Sequence, residues 1–420
     1  MIKSITGTKD TLPADILKWK IIEEKVKQYF ALLNYKEIRT PVFEETVLFK
    51  RGIGEETDIV GKEMYTFNDR SQTSLTLRPE GTASVVRSFI EHSLGSIQPL
   101  NKLYYIMPMF RQERPQAGRL RQFHQFGAEA LGSASPLLDA EIIISAYDLL
   151  CSFGLKNLEV KVNSIGVPAS REEYKKILKE FLKDKYDGLS EDSKRRYETN
   201  VLRILDSKDE RDQALIEGAP VITDYLDEES SRDFEIVKKA LSDAQVPYTI
   251  DPKLVRGLDY YTKTTFEVVS NSVGSQSALC GGGRYDLLIS MLGGKPTPGV
   301  GFAAGIERIL LACEKEQSLV LPEEKIDIYI VRLDKELSNK AFDIATALRR
   351  NDIVVELDYM EKSVKAQMRE ANKYNSGYVL FIGGDEYKEG KGSLKNMKNS
   401  EQQLISLDNL VAEIKNLIGK

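Results

Sequence analysis

The sequence predicts an α/β protein of at least two domains: an α+β domain over residues 1–320 built on one large sheet, a helical insertion interrupting it over 168–244, and a small α/β domain over 325–420. Three observations lead there. The chain's 420 residues exceed what a single hydrophobic core usually supports. From about Pro168 to Ala244 the texture changes: charged residues crowd in and glycine nearly vanishes. From Lys325 onward, strand and helix patterns alternate, which indicates a largely parallel sheet.

Each element has its own signal. Trp19, Ile22, Val26, Tyr29, Phe30 and Leu33 recur at three- and four-residue steps, the stripe of an amphipathic helix that Asn34 and Tyr35 end. Lys36 to Val42 follows as an edge strand, because Pro41 cannot donate to a central ladder. Leu75 to Leu77, Leu103 to Met109, Leu158 to Val162 and Thr264 to Ser270 supply further strands for the large sheet. The insertion reads as successive helices such as Arg171 to Lys183 and Ser231 to Asp243, and its charge reads as a solvated surface. After a linker at Val320 to Glu324 come strand Ile326 to Val331, helix Leu337 to Asn351, strand Ile353 to Leu357, helix Lys362 to Tyr374 and strand Tyr378 to Ile382. A helix from Leu407 to Ile418 closes the chain.

Bulk properties exclude several classes. Lys and Arg total 59 against 64 Asp and Glu, a formal net charge of -5, so a polyanion site must be local. Cys151, Cys280 and Cys313 are far apart and odd in number, which fits a reducing cytosol and neither a zinc site nor a disulfide framework. The first residues lack an apolar signal region, and no run approaches the ~20 apolar residues of a membrane span. A cytoplasmic protein without membrane insertion is expected. His92 and His124 are the only histidines, which argues against histidine metal sites and a Ser-His-Asp hydrolase and makes His124 a packed or hydrogen-bonded strand residue.

Four segments place charge and glycine beside strands. In Leu77-Arg78-Pro79-Glu80-Gly81-Thr82 a carboxylate and a hydroxyl could together hold an ammonium group, although for this segment taken alone a strand-to-helix turn capped by Thr82 is the better reading. Phe110 to Phe126 packs Arg111, Arg114, Arg119 and Arg121 into a hairpin-like passage. Guanidinium forks suit a triphosphate or a phosphoester transition state, and a surface salt-bridge hairpin would not need Gln125 and Glu129 on one polar face. Leu254-Val255-Arg256-Gly257-Leu258-Asp259-Tyr260-Tyr261 offers tyrosines that either close a pocket around an aromatic ligand or simply pack at a strand start. Cys280 to Asp286 and Gly299 to Arg308 are glycine-rich, permitting close backbone approach to a ligand without the spacing of a dinucleotide fingerprint. Gly384 to Lys391 imitates a Walker loop, but Gly392 replaces its Ser or Thr and the glycine spacing is one residue too long, so a hairpin turn is expected.

Taken in order, these segments resemble the signature motifs of class II aminoacyl-tRNA synthetases: Pro41 in motif 1, Phe110-Arg111-Gln112-Glu113 in motif 2, and Gly305-Ile306-Glu307-Arg308 in motif 3. Leu254 to Tyr261 and Gly282 to Asp286 resemble the histidine-specific motifs of the histidyl-tRNA synthetase family, as Gly7-Thr8-Lys9-Asp10 with Leu12-Pro13 resembles its amino terminus. The likeness spans essentially the whole chain. It implies a mixed, mainly antiparallel sheet flanked by helices, a helical insertion and a C-terminal anticodon-binding α/β domain. It also implies ATP-dependent activation of L-histidine and transfer to the 3′ end of tRNA(His), with Mg2+ accompanying ATP, by a homodimer.

Carried over residue by residue, the resemblance assigns Glu80, Thr82 and Gln125 to the amino end of histidine and Glu129, Tyr261 and Tyr285 to its imidazole, with Gly81 and Tyr260 also in the histidine site. Arg111 would hold the α-phosphate, Arg119 and Arg308 the outer phosphates, and Glu113 the adenine or ribose side of ATP. Arg256 would be catalytic, offsetting charge at the α-phosphate. Arg114 and Gln116 would meet the tRNA acceptor end, and no metal ligand is assigned. Gln112 and Ala117 stand where many relatives carry His and Lys, a departure that touches the loop's RNA contacts rather than the chemistry.

Two rivals remain in view. A regulatory paralogue serving ATP phosphoribosyltransferase shares the synthetase core, but typically lacks the C-terminal domain and degrades the Arg256 region. A class II enzyme for proline, threonine or glycine would not call for Glu129 with Tyr260 and Tyr261.

Overall fold

Ile22, Val26 and Phe30, spaced four apart, are fully buried on one side of helix Pro13–Leu32, and Asn34 ends the run in the left-handed region at φ 61°. The computed structural model describes residues 2–54, 57–255, 258–276 and 278–419, in two compact units, Met1–Val320 and Leu321–Lys420.

The first unit contains β1 (Lys36–Glu37), β2 (Phe43–Glu45), β3 (Tyr65–Asn68), β4 (Ser74–Leu77), β5 (Asn101–Phe110), β6 (Gln122–Leu131), β7 (Leu158–Ser164), β8 (Tyr248–Ile250), β9 (Thr262–Ser270), β10 (Ala278–Arg284) and β11 (Gly299–Gly305). Eight of them form one sheet in the order β1-β5-β6-β11-β10-β9-β7-β8. Only the outermost pairs, β1 with β5 and β7 with β8, run parallel.

Side-chain alternation divides the sheet into two unlike faces. Phe126, Ala128, Val160, Val162, Phe266, Val268, Val300 and Phe302 point to one side, into a core completed by the helices Pro13–Leu32, Pro136–Ser152, Glu228–Asp243 and Ile306–Glu316. Burying each such phenylalanine stabilises the fold by roughly 1.5–3 kcal/mol. The intervening residues, Gln125, Gly127, Glu129, Gly281, Gly283, Gly301, Ala303 and Gly305, point the other way, where bulk is largely absent.

Two sequence expectations are corrected. The strand expected over Lys36 to Val42 is only two residues long, and beyond it the carbonyls of Thr40 and Pro41 accept from Arg78 rather than from a neighbouring strand. Leu75 to Leu77 lies in a separate three-stranded sheet, β2-β4-β3, rather than the large one.

Within 168–244, which also holds helix Pro168–Lys183, the helices Glu191–Thr199 and Glu210–Leu215 are pinned together by Asp212, which accepts hydrogen bonds from the hydroxyls of Ser190, Ser193 and Ser207 and from the Ser190 N–H. They share a core with the rest of the unit: Tyr174, Leu178 and Leu182 pack in the cluster that holds Val86, Tyr260 and Tyr285.

The second unit holds β12 (Ile328–Arg332), β13 (Val355–Leu357), β14 (Tyr378–Ile382), β15 (Lys391–Asn396) and β16 (Gln402–Ser406), ordered β13-β12-β14-β15-β16. The first three are parallel, as strand-helix alternation predicts, and the last two add antiparallel strands that the sequence reading did not contain. The expected hairpin turn at Gly384 to Lys391 is instead a short helix, Gly384–Lys388, with Gly390 at φ 73° turning the chain into β15.

Candidate active site

The bare face of the large sheet is a floor with two functional ends. In register across the ladders, Leu103, Glu129, Gly301, Gly283 and Thr265 form one row, and Tyr105, Gly127, Ala303, Gly281 and Glu267 form the next. Gln125 pairs with Gly305 in a third. Glycine and alanine in the middle of these rows leave space above the backbone that side chains would otherwise fill.

Glu129 is fully buried at one end. Its Oε1 accepts the Thr82 hydroxyl at 2.7 Å and the Tyr105 hydroxyl at 3.5 Å, and its Oε2 accepts the Tyr285 hydroxyl. Burial pushes its carboxyl up to about 8, and those hydroxyl donors only partly counter the effect. Glu80 is buried beside it, accepting the backbone N–H groups of Thr82 at 2.6 Å and Ala83 at 2.9 Å, at the start of helix Thr82–Glu91. Burial raises its carboxyl too, against those two N–H donors.

Aromatic rings close this end. Tyr260 and Tyr261 have centroids 4.7 Å apart, and Tyr260 meets Tyr285 edge-on at 5.7 Å. Tyr105 is held between two glycines: a Cβ at Gly81 or at Gly127 would fall 2.5 Å from its ring. The structure therefore brings Glu80, Gly81, Thr82, Glu129, Tyr260, Tyr261 and Tyr285 together. Gln125, two pleats from Glu129 on the same face, carries a buried Oε1 with no hydrogen-bond partner among the described residues.

Arginines gather at the other end. Arg111, Glu113, Arg119, Gln125, Glu267 and Arg308 line one cleft. Glu113 lies 2.6 Å from Arg119 Nε and 3.7 Å from Arg111 Nη1. Arg111 is anchored through Nε to the Pro79 carbonyl at 2.9 Å, and Arg308 donates to the carbonyls of Ala278 at 2.9 Å and Gly118 at 3.2 Å. Burial, and then the charge of Arg119, lower the Arg308 guanidinium from its ordinary value. Like charges crowded into a cleft are arranged for an anion.

The loop between β5 and β6 turns at Gln116 to Arg119, where the two residues exchange backbone hydrogen bonds of 3.0 and 2.9 Å and Gly118 has φ 70°. Arg114 and Gln116 are exposed on this loop, away from the Glu129 end. Arg256 and Gly257 lie outside the described residues. His124 is the hydrogen-bonded strand residue expected, its Nδ1 3.0 Å from Glu307.

Sequence reasoning missed Tyr105 and Glu267. A charged residue inside the apolar run Thr264 to Ser270 is the signal that marks Glu267. Tyr105 gives no comparable local sign, since its role arises from pairing with Gly127 across the β5–β6 ladder.

The family model described as histidyl-tRNA synthetase matches residues 7–309, and that of an anticodon binding domain matches residues 327–417. The histidine–tRNA ligase of Caldanaerobacter subterraneus subsp. tengcongensis is 49% identical over 416 residues, 99% of this chain and 100% of that protein. That of Halothermothrix orenii is 48% identical over 418 residues, again 99% of this chain and 100% of the relative. The solved apo histidyl-tRNA synthetase of S. aureus is similar at a TM-score of 0.84 and 42% identity, over 99% of this chain and 100% of that one.

Proposed function

The chain belongs to the histidyl-tRNA synthetase family, and on that premise we propose that it is a ligase that activates L-histidine with ATP and transfers it to the 3′ end of tRNA(His), releasing AMP and pyrophosphate. The observation that carries the reading is the buried Glu129 carboxyl, ringed by hydroxyls at the closed end of a glycine floor whose other end is an arginine cleft.

Histidine lies on the floor with its imidazole toward Glu129, Tyr260, Tyr261 and Tyr285. A carboxylate accepts a ring N–H, which no proline, threonine or glycine side chain offers. Its ammonium group faces Glu80, Thr82 and the unpaired oxygen of Gln125, with Gly81 leaving the approach clear. ATP occupies the cleft, with Arg111 on the α-phosphate, Arg119 and Arg308 on the outer phosphates, and Glu113 on the adenine or ribose side.

A carboxylate oxygen of histidine then attacks the α-phosphorus, the bond to the β-phosphate oxygen breaks and pyrophosphate leaves. Positioning supplies much of the acceleration, and the guanidinium groups of Arg111 and Arg256 balance the charge that grows on the α-phosphate. In the second step the terminal ribose hydroxyl of tRNA attacks the activated carbonyl and AMP leaves. Arg114 and Gln116 meet the acceptor end from their exposed loop, and residues 325–420 bind the anticodon region.

Mg2+ accompanies ATP and neutralises phosphate charge when bound. Glu113, Glu267 and Glu307 are the carboxylates lining the cleft, oxygen donors of the kind it would prefer. Among the described residues no group of three or more His, Cys, Asp or Glu side chains could hold a metal ion.

The active unit is a homodimer in the cytoplasm. Val42, Phe43 and Phe67 form an exposed apolar patch next to Pro41, with the two phenylalanine rings 6.4 Å apart, the kind of surface that association covers. No helix among the described residues is long and apolar enough to cross a membrane. The test of the catalytic role is Arg256→Ala in a single-turnover measurement of histidyl-adenylate, with circular dichroism as the folding control. Adenylate formation should be nearly abolished, and an unchanged rate in a folded variant would remove Arg256 from the mechanism.

A further inference from the structure

The helical insertion also walls the nucleotide cleft. Arg196, from helix Glu191–Thr199, and Arg203, from the single turn Val201–Ile204, line a cavity with Arg111, Glu113 and Arg119. Arg203 lines a second cavity as well, with Arg119, Glu267 and Arg308. Arg203 and Arg119 thus border the same two spaces.

The two insertion arginines differ in how they are occupied. Arg196 Nη1 donates to the Arg203 carbonyl at 3.2 Å, and its Nη2 lies 3.8 Å from Asp58. Arg203 Nη1 is buried and makes no hydrogen bond among the described residues, while its ion-pair partner, Asp206 Oδ2, stands at 3.5 Å. That distance is beyond a good N–H···O bond. A desolvated guanidinium nitrogen without a close acceptor is costly unless an anion completes it. Arg119, with which it shares both cavities, and Arg308, with which it shares the second, are the residues assigned above to the outer phosphates.

We propose that Arg203 is a further contact for the outer phosphates of ATP, so that the insertion completes the nucleotide site. The inference rests on reading the arginine cleft as the ATP site. The phosphodiester at the tRNA 3′ end has the same chemistry. The outer phosphates are favoured because Arg119 borders both cavities beside Arg203.

The experiment compares full-length wild type, Arg203→Ala, Arg203→Lys and Asp206→Asn in histidine-dependent ATP–pyrophosphate exchange and in tRNA charging. Arg203→Ala should raise KM for ATP about tenfold, the effect of losing a charge-assisted hydrogen bond, with KM for histidine unchanged. Arg203→Lys should recover part of the loss, and Asp206→Asn should leave KM for ATP at or below the wild-type value.

An unchanged KM for ATP in Arg203→Ala overturns the proposal, whether tRNA charging falls, which would assign the residue to the tRNA end, or nothing changes. So does an Asp206→Asn variant that copies the Arg203→Ala defect, since the ion pair would then merely be holding the turn. If Arg203→Ala does not fold, the lysine and asparagine variants decide the matter. Absence of histidine-dependent exchange in the wild type would instead strike the underlying reading of the cleft.

Discussion

Gly301 stands directly opposite Glu129 on the β6–β11 ladder, and a Cβ at position 301 would fall 1.9 Å from Glu129 Oε2. The carboxyl can fold over its neighbour's backbone only because no side chain is there. Gly301→Ala should therefore displace Glu129 from Tyr285 and Thr82, raise KM for histidine at least tenfold, and lower stability by about 1–3 kcal/mol through overpacking. Exchange kinetics with thermal melting check both, and a neutral Gly301→Ala would mean that the carboxyl has another place to go.

Glu129 gives the pocket a pH signature. Its folded carboxyl is raised to about 8, well above the ordinary carboxyl range. A raised carboxyl favours the protonated form in the fold, so its stability contribution is full below about pH 4 and is lost as pH rises through about 8. In ligand-free protein the wild type should lose on the order of a few kcal/mol across that window relative to Glu129→Gln, which cannot ionise. Denaturant unfolding at several pH values measures the difference. The same variant should weaken histidine binding most strongly above about pH 8, where the carboxyl is ionised and the imidazole N–H loses a charged acceptor.

Much of this was legible in the residues, and what was not has a physical reason. The alternation from Gln122 to Phe126 extends to place Gln125 and Glu129 on one polar face, and the structure has them there. The Cys280 to Asp286 glycines suggested close approach to a ligand, but not that Gly281 and Gly283 continue the rows of Ala303 and Gly301, since register is set by strands distant in sequence. Glu80 was readable as a carboxylate near a helix start, while its hold on the N–H groups of Thr82 and Ala83 depends on the turn itself. Pro41 was a sound sign against a central strand, yet the carbonyls beyond β1 are taken up by Arg78, which lies far along the chain and gives no local sign.

Arg78 is nearly fully buried, donating to the carbonyls of Pro108 at 2.8 Å, Thr40 at 2.8 Å and Pro41 at 3.0 Å. Arg78→Ala leaves three acceptors without their donor and should cost about 3–5 kcal/mol. Arg78→Lys should recover only part of this, because an ammonium group lacks the planar fork. Equilibrium unfolding checks the order wild type, then lysine, then alanine.

Arg308 spans two carbonyls, Ala278 and Gly118, and so ties the helix after β11 to the β5–β6 loop. Arg308→Lys keeps the charge but not the span. It should raise KM for ATP roughly 10- to 100-fold while leaving KM for histidine within about threefold, as steady-state exchange would read.

In the proposed mechanism the Glu129 pocket selects histidine and the arginine cleft activates it. Amino-acid-dependent ATP–pyrophosphate exchange on the purified chain with Mg2+, comparing histidine with proline, threonine and glycine, tests it most directly. Exchange with histidine alone is the predicted result. Exchange with another of these amino acids would contradict the pocket assignment, and silence with all of them in folded protein would contradict the catalytic reading.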